Sequence, residues 1–172
     1  MKFLSSISLI LIAAAISTNA LPTASDSTPA STLIARGYSA SGAETSYCMW
    51  PSRWIVCNKA KGHATEALTA AQQNFPANTL HNGKGDAFRH CYWNARMTVD
   101  MGQDTAKTFA DLHEEGGGGP AAEGEMDLAN NASGRKFGEE VKSGGGDDGD
   151  KYARALAKCK SAANSGVLKV LG

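Results

Sequence analysis

Asp86-Ala87-Phe88-Arg89-His90-Cys91-Tyr92-Trp93-Asn94-Ala95-Arg96-Met97-Thr98-Val99 is the stretch whose reading decides the fold. Its apolar residues do not alternate with period two, so it does not read as a half-buried strand. Turned at about 100° per residue, Ala87, Phe88, Cys91, Tyr92, Ala95 and Val99 fall on one broad core stripe. Arg89 and Arg96 share a face expected to be wet. Asp86, His90, Trp93, Asn94 and Met97 make a third sector. A solvated face does not normally carry Trp and Met, so Asp86 and His90, spaced i and i+4, are expected to look into a second, partly buried surface. Gly102 closes this helix, expected over 86–101.

The same period extends to both sides. Ala60, Ala64, Ala67, Leu68 and Ala71 predict a helix over 58–73, ended by Asn74-Phe75-Pro76, with His63 on its polar flank as a surface residue. Ala106, Phe109, Ala110 and His113 share one stripe of a helix over 104–115, stopped by Gly116 to Gly119 and Pro120. A helix over 125–142 carries Asp127, Asn130 and Asn131 on one face, and its Gly134 and Gly138 permit close approach of a neighbour. After Ser143-Gly144-Gly145-Gly146, the acids Asp147, Asp148 and Asp150 favour the start of a last helix reaching about Ala163. Residues 38–57, with Tyr47, Trp50, Pro51 and Trp54, read as a compact aromatic lead-in. The expected class is all-α, a small disulfide-stapled bundle of about five helices.

The chain opens Met1-Lys2-Phe3-Leu4, runs apolar from Ile7 to Ile16 and ends that run in Thr18-Asn19-Ala20. A charged start, a short apolar centre and a small residue mark a secretory signal peptide over 1–20. Residues 21–37 are rich in Ser, Thr, Pro and Ala, and read as a disordered leader or propeptide, with Arg36 a weak marker for trimming. One helical domain is expected over 38–172. Seventeen basic and seventeen acidic residues cancel, so there is no excess charge to drive nucleic-acid or membrane binding. A monomer with an unidentified extracellular or host target is expected. The four cysteines allow three connectivities, of which Cys48–Cys57 with Cys91–Cys159 is favoured, the second stapling the central helix to the last.

Three helices thus turn polar groups toward a common interior. Asp86, His90, His113 and Asp127 are the candidate metal ligands, with His90 and His113 also candidate acid–base groups and Arg89 a catalytic anion contact. Glu114, Asn130, Asn131 and Arg135 stand behind them; Arg135 contacts a substrate anion or pairs with Glu139. Mixed imidazole and carboxylate ligands suit zinc, a mostly oxygen set calcium. For any one of these residues taken alone a buried hydrogen-bond network is the favoured explanation, and it is the set together that favours a functional site. Asn131-Ala132-Ser133 is a glycosylation sequon that an inward Asn131 would leave poorly used. Asn82-Gly83-Lys84-Gly85 reads as a turn, and Asp147-Asp148-Gly149-Asp150 lacks the length of a calcium loop.

Asp86-Ala87-Phe88-Arg89-His90, Trp93-Asn94-Ala95, His113-Glu114, Met126-Asp127, Asn130-Asn131 and Gly134-Arg135 together resemble a poorly characterised domain family of bacterial and fungal secreted proteins. The resemblance spans about residues 58–140 and implies an all-helical domain without a secure reaction; delivery of some relatives as toxins is what it suggests of role. Arg89-His90 on a central helix of a small disulfide-bonded protein is also similar, more loosely, to the fungal and bacterial secreted phospholipase A2. In that family an Asp that binds calcium follows the catalytic His, and here Cys91 stands in its place.

The resulting expectation is a secreted, hydrolase-like toxin or effector with a metal-dependent His/Asp site, acting on phosphodiesters or phospholipids. The competing expectation is a non-catalytic secreted effector or antimicrobial protein that binds a host or microbial target. The mature chain is expected to begin at Leu21 or later and to hold no free thiol. Intact-mass measurement after alkylation without reduction checks this, and two or more labelled cysteines would refute the pairing.

Overall fold

The computed structural model describes residues 38–116 and 119–171; the expected signal peptide and leader lie outside them. Among the described residues there are six helices and no strand: α1 Gly42–Cys48, α2 Trp54–Asn74, α3 Lys84–Met101, α4 Gln103–Glu115, α5 Ala121–Ser143 and α6 Asp148–Asn164. The all-α expectation holds, and both disulfides join the expected pairs, Cys48–Cys57 and Cys91–Cys159.

The helix not anticipated is α1. It starts on a capping box: Ser41 Oγ accepts from the Glu44 amide at 3.0 Å, and a Glu44 carboxylate oxygen accepts from the Ser41 amide at 2.7 Å. Ser41-x-x-Glu44 is the sequence signal for this arrangement. The Cys48–Cys57 bridge folds the chain back through a single 3-10 turn, Pro51–Arg53, so α2 begins at Trp54 rather than at Asn58. At the other end of the chain the acid cluster acts as expected: Asp147 caps α6 by accepting from the Asp150 amide at 2.8 Å.

Helix α3 is the axis of the fold. Helices α2, α4, α5 and α6 all pack on it, and thirteen of its eighteen residues are buried. Each neighbour meets it by a different device. The inner face of α2 is a row of buried alanines, Ala60, Ala64, Ala67 and Ala71, and Trp93 of α3 donates its indole N–H to the Ala60 carbonyl at 3.0 Å. The Cys91–Cys159 bridge ties α6 to α3. Helix α5 lies backbone to backbone on α3: a Cβ on Gly134 would sit 2.1 Å from the Cys91 carbonyl oxygen, and one on Gly138 2.6 Å from Thr98 Cβ.

Two expectations on α2 and α3 change. His63 is buried rather than exposed, because α3 presents it with partners: Asp100 Oδ2 at 2.9 Å from Nε2, and Arg96 Nε, which donates to Nδ1 at 3.2 Å. Arg96 itself lies 4.2 Å over the Tyr152 ring of α6 instead of standing in water. The tail after α6 returns across the bundle with Leu168 buried, and Asn130 exchanges two hydrogen bonds of 2.9 Å with the Lys169 backbone.

Replacing Gly134 by Ala is expected to destabilise the protein by roughly 2–3 kcal/mol, because a backbone carbonyl cannot move aside as a side chain can. Gly62→Ala, at a helical position with open space around the new methyl, is expected to stabilise by about 0.5–1 kcal/mol. Urea denaturation of both variants checks the contrast.

Candidate functional site

The first turn of α3 sets Asp86. Asn82, held at φ 60°, donates its amide to Asp86 Oδ2 at 2.8 Å and its side-chain N–H to Glu123 at 2.7 Å. The tail steadies that loop too, since Leu171 donates its amide to the Asn82 carbonyl at 2.9 Å. One turn further along, His90 shares the Asp86 face, as their spacing requires.

Asn131 of α5 fixes the orientation of His90. Its side-chain N–H donates to Glu114 Oε1 at 3.1 Å, a carboxylate that can only accept while ionised. Asn131 Oδ1 therefore faces α3, where it accepts from Asn94 at 2.6 Å and lies 3.3 Å from His90 Nδ1. His90 must carry its proton on Nδ1, which leaves the Nε2 lone pair pointing the other way. The surroundings of Nε2 agree: Arg89 donates to it at 2.7 Å. The same Arg89 nitrogen donates to Asp86 Oδ1 at 2.5 Å.

Asp127 of α5 completes the cluster, with Oδ1 at 3.4 Å from His90 Nε2. Asp86, His90 and Asp127 each offer one atom, all within 4.8 Å of one another, and form a group that could hold a metal ion. Asp127 Oδ1 is buried and has no hydrogen-bond partner. Three carboxylates, Asp86, Glu114 and Asp127, surround one imidazole with Arg89 as counter-charge. Burial, with the negative charges of Glu114 and Asp86, pushes the Asp127 pKa up to about 8 despite Arg89. Burial also raises Glu114. Burial holds His90 well below the usual imidazole range, and the positive charges of Arg89 and His113 act in the same direction.

His113 converges on His90, with ring centroids 6.3 Å apart, but stands outside the Asp–His–Asp group. Its Nδ1 donates to Glu44 at 3.0 Å, a residue from α1 that the sequence reading missed. Glu44 is buried, and burial alone would raise its pKa. Hydrogen bonds from His113, the Tyr38 hydroxyl and the Ser41 amide outweigh that and hold it below the usual value. Tyr38 stacks on His113 at 5.7 Å, and Ser41 Oγ donates to the Leu112 carbonyl at 2.6 Å, which pins α1 to the end of α4. A narrow crevice, with room for about one water molecule, lies here, lined by Tyr38, Ala64, Leu68, Arg89, Trp93 and His113.

The remaining expected residues divide. Asn131 is buried at the centre, so the sequon it opens faces inward. Asn130 holds the tail instead of the site. Arg135 neither reaches a substrate-facing surface nor pairs with Glu139; it is buried and donates to Asn94 Oδ1 at 3.1 Å. Arg89 leaves its expected wet face to bridge Asp86 and His90, because two acceptors lie within its reach.

The model of the family described as a domain of unknown function, DUF6973, matches residues 48–166. The chain belongs to this family. Asp86, His90, His113, Glu114, Asp127 and Asn131 fall within the matched span, whereas Tyr38, Ser41 and Glu44 precede it. No solved structure matches the chain, and no phospholipase A2 similarity is found. At the position where that enzyme carries its calcium-binding Asp, Cys91 is taken up by the bridge to Cys159.

Asp127 gives the site a pH signature. An aspartate in the unfolded chain ionises near pH 4, and here the folded value is about 8. Its folded-state pKa is raised, so its contribution to stability is full below about pH 4 and is lost as the pH rises through about 8. In chelator, the melting temperature of wild type is expected to fall across this window. Asp127→Asn is expected to remove most of that fall and to be the more stable protein at pH 9, by roughly 2–5 kcal/mol. Thermal melts at a series of pH values check the sign.

Proposed function

We propose that this chain is a secreted hydrolase in which Asp86, His90 and Asp127 hold a divalent metal ion. The observation that carries this reading is the buried Asp127 Oδ1, unpartnered and 3.4 Å from His90 Nε2, the nitrogen that the Asn131 bond leaves without a proton. An unpaired buried carboxylate is costly, and a cation at this point would satisfy Asp86, His90 and Asp127 together. The imidazole in the set favours zinc or a similar transition ion over calcium. Such an ion would supply a water made nucleophilic near neutral pH.

The protein supplies the rest. Arg89 Nη2, hydrogen-bonded to both Asp86 and His90, stands in for a cation. Its side chain is 27 % exposed, so it has room to turn outward and meet an anionic substrate beside the crevice. Glu44 occupies His113 Nδ1, which leaves Nε2 to move a proton. Water activation next to a guanidinium suits phosphoester substrates, whether phosphodiesters or phospholipid headgroups. Secretion is supported by the apolar run over residues 7–16 and by the two disulfides, which fit an oxidising, non-cytoplasmic compartment, and a toxin or effector role belongs to the same proposal.

Calorimetric titration of chelator-stripped protein with zinc is expected to show one ion per chain. His90→Ala and Asp127→Asn are expected to lose it, and Asn131→Ala to weaken it by about 10–100-fold through the freed imidazole. Hydrolysis of bis-para-nitrophenyl phosphate should follow the same order, with helical circular dichroism intact. No bound metal, no effect of chelator and full activity of a folded His90→Ala variant would together end the enzymatic reading and leave the non-catalytic effector.

A further inference from the structure

Four large apolar side chains stand in solvent within seven consecutive residues: Met49 at 74 % exposure, Trp50 at 64 %, Trp54 at 59 % and Ile55 at 74 %. They lie inside the loop closed by Cys48–Cys57, whose Cα atoms are 6.0 Å apart, so the chain must double back and the four residues share one small knob. Isolated exposed apolar residues are ordinary, but a cluster of this kind, built on two tryptophans, marks a contact surface. The third tryptophan shows the contrast, since Trp93 is buried and its N–H is bonded to the Ala60 carbonyl.

We propose that this knob is a membrane-docking surface that seats in the interface of an anionic lipid bilayer. Two observations favour a lipid surface over a protein groove. Tryptophan, with an apolar body and a polar N–H, is the residue that settles at the headgroup level. The chain around it is also one-sided in charge: between Glu44 and Glu66 there is no carboxylate, while Arg53, Lys59 and Lys61 are present. Lys59 is tied to Asp100, Arg53 lies 4.0 Å over the Tyr47 ring, and Lys61 is exposed at the rim of a groove that begins at Met49. Net neutrality of the whole chain hides this local excess. The disulfide and the Pro51–Arg53 turn hold the loop in shape before contact, so little ordering is lost on docking. No helix among the described residues is long and apolar enough to cross a membrane, so the contact is interfacial. The proposal is independent of the metal site.

Trp50 and Trp54 are their own reporters. Mature protein mixed with vesicles of equal parts phosphatidylcholine and phosphatidylglycerol is expected to sediment with them, and its tryptophan emission to shift to shorter wavelength. Vesicles of phosphatidylcholine alone should bind at least about tenfold more weakly, since they offer Arg53 and Lys61 no anionic headgroup. Trp50→Ser with Trp54→Ser should lose sedimentation by at least about tenfold and keep its helical circular dichroism, because neither residue supports the core. Met49→Ser with Ile55→Ser retains both tryptophans and should weaken binding with a smaller emission shift. Absence of binding to either vesicle, or binding unchanged in both double variants, would overturn the proposal. So would a concentration-dependent blue shift and dimer without lipid, which would give the knob to a second copy of the chain.

Discussion

The seat of α5 on α3 is the constraint that the other features depend on. Where Gly134 meets the Cys91 carbonyl, no side chain separates the two backbones. At that spacing the polar residues of α5 cannot reach past α3; they must end against it. Asn131 and Asp127 therefore meet His90 from across the interface, and Arg135, next to Gly134, is left with Asn94 as its partner. The alanine face of α2 and the Cys91–Cys159 bridge close the remaining sides of α3, so water is removed from most of the helix. A buried helix that carries Asp, His and Asn has to satisfy them internally.

That requirement explains how the site is built. Asn131 is its hub: the Glu114 carboxylate fixes which way the amide points, and the amide fixes the tautomer of His90. Asn82 and the returning tail do for Asp86 what Asn131 does for His90. Only Asp127 has no such support, and its raised pKa is the electrostatic expression of that gap. The point where this network is incomplete lies inside the Asp–His–Asp group that could hold a metal ion.

The Cys48–Cys57 loop contrasts with the core. In the core every large apolar group is covered and Trp93 has its N–H bonded; in the loop two tryptophans lie open on a rigid turn. The bridge makes this tolerable, because a closed short loop cannot collapse its apolar tip onto the bundle. The same bridge ties the end of α1 to α2, while Ser41 and Glu44 at its start meet Leu112 and His113 of α4.

The sequence by itself determined the helical class and the two inward sectors of α3, and it favoured, among three possible connectivities, the cysteine pairing that the structure holds. It also determined that Asp86, His90, Asp127 and Asn131 face inward. These follow from periodicity and from the cost of leaving Trp93 and Met97 in water, which are local properties of each helix. The capping signal of α1 was legible in Ser41 and Glu44, but nothing local told that Glu44 would reach a histidine 69 residues away. The partners of His63, the turning of Arg89 onto His90, the use of Asn130 for the tail and the separation of His113 from the Asp–His–Asp group were decided only by tertiary structure. Periodicity says which face of a helix is buried. It does not say which neighbour arrives there, because that depends on how closely two backbones can approach and on which buried donors and acceptors remain to be paired.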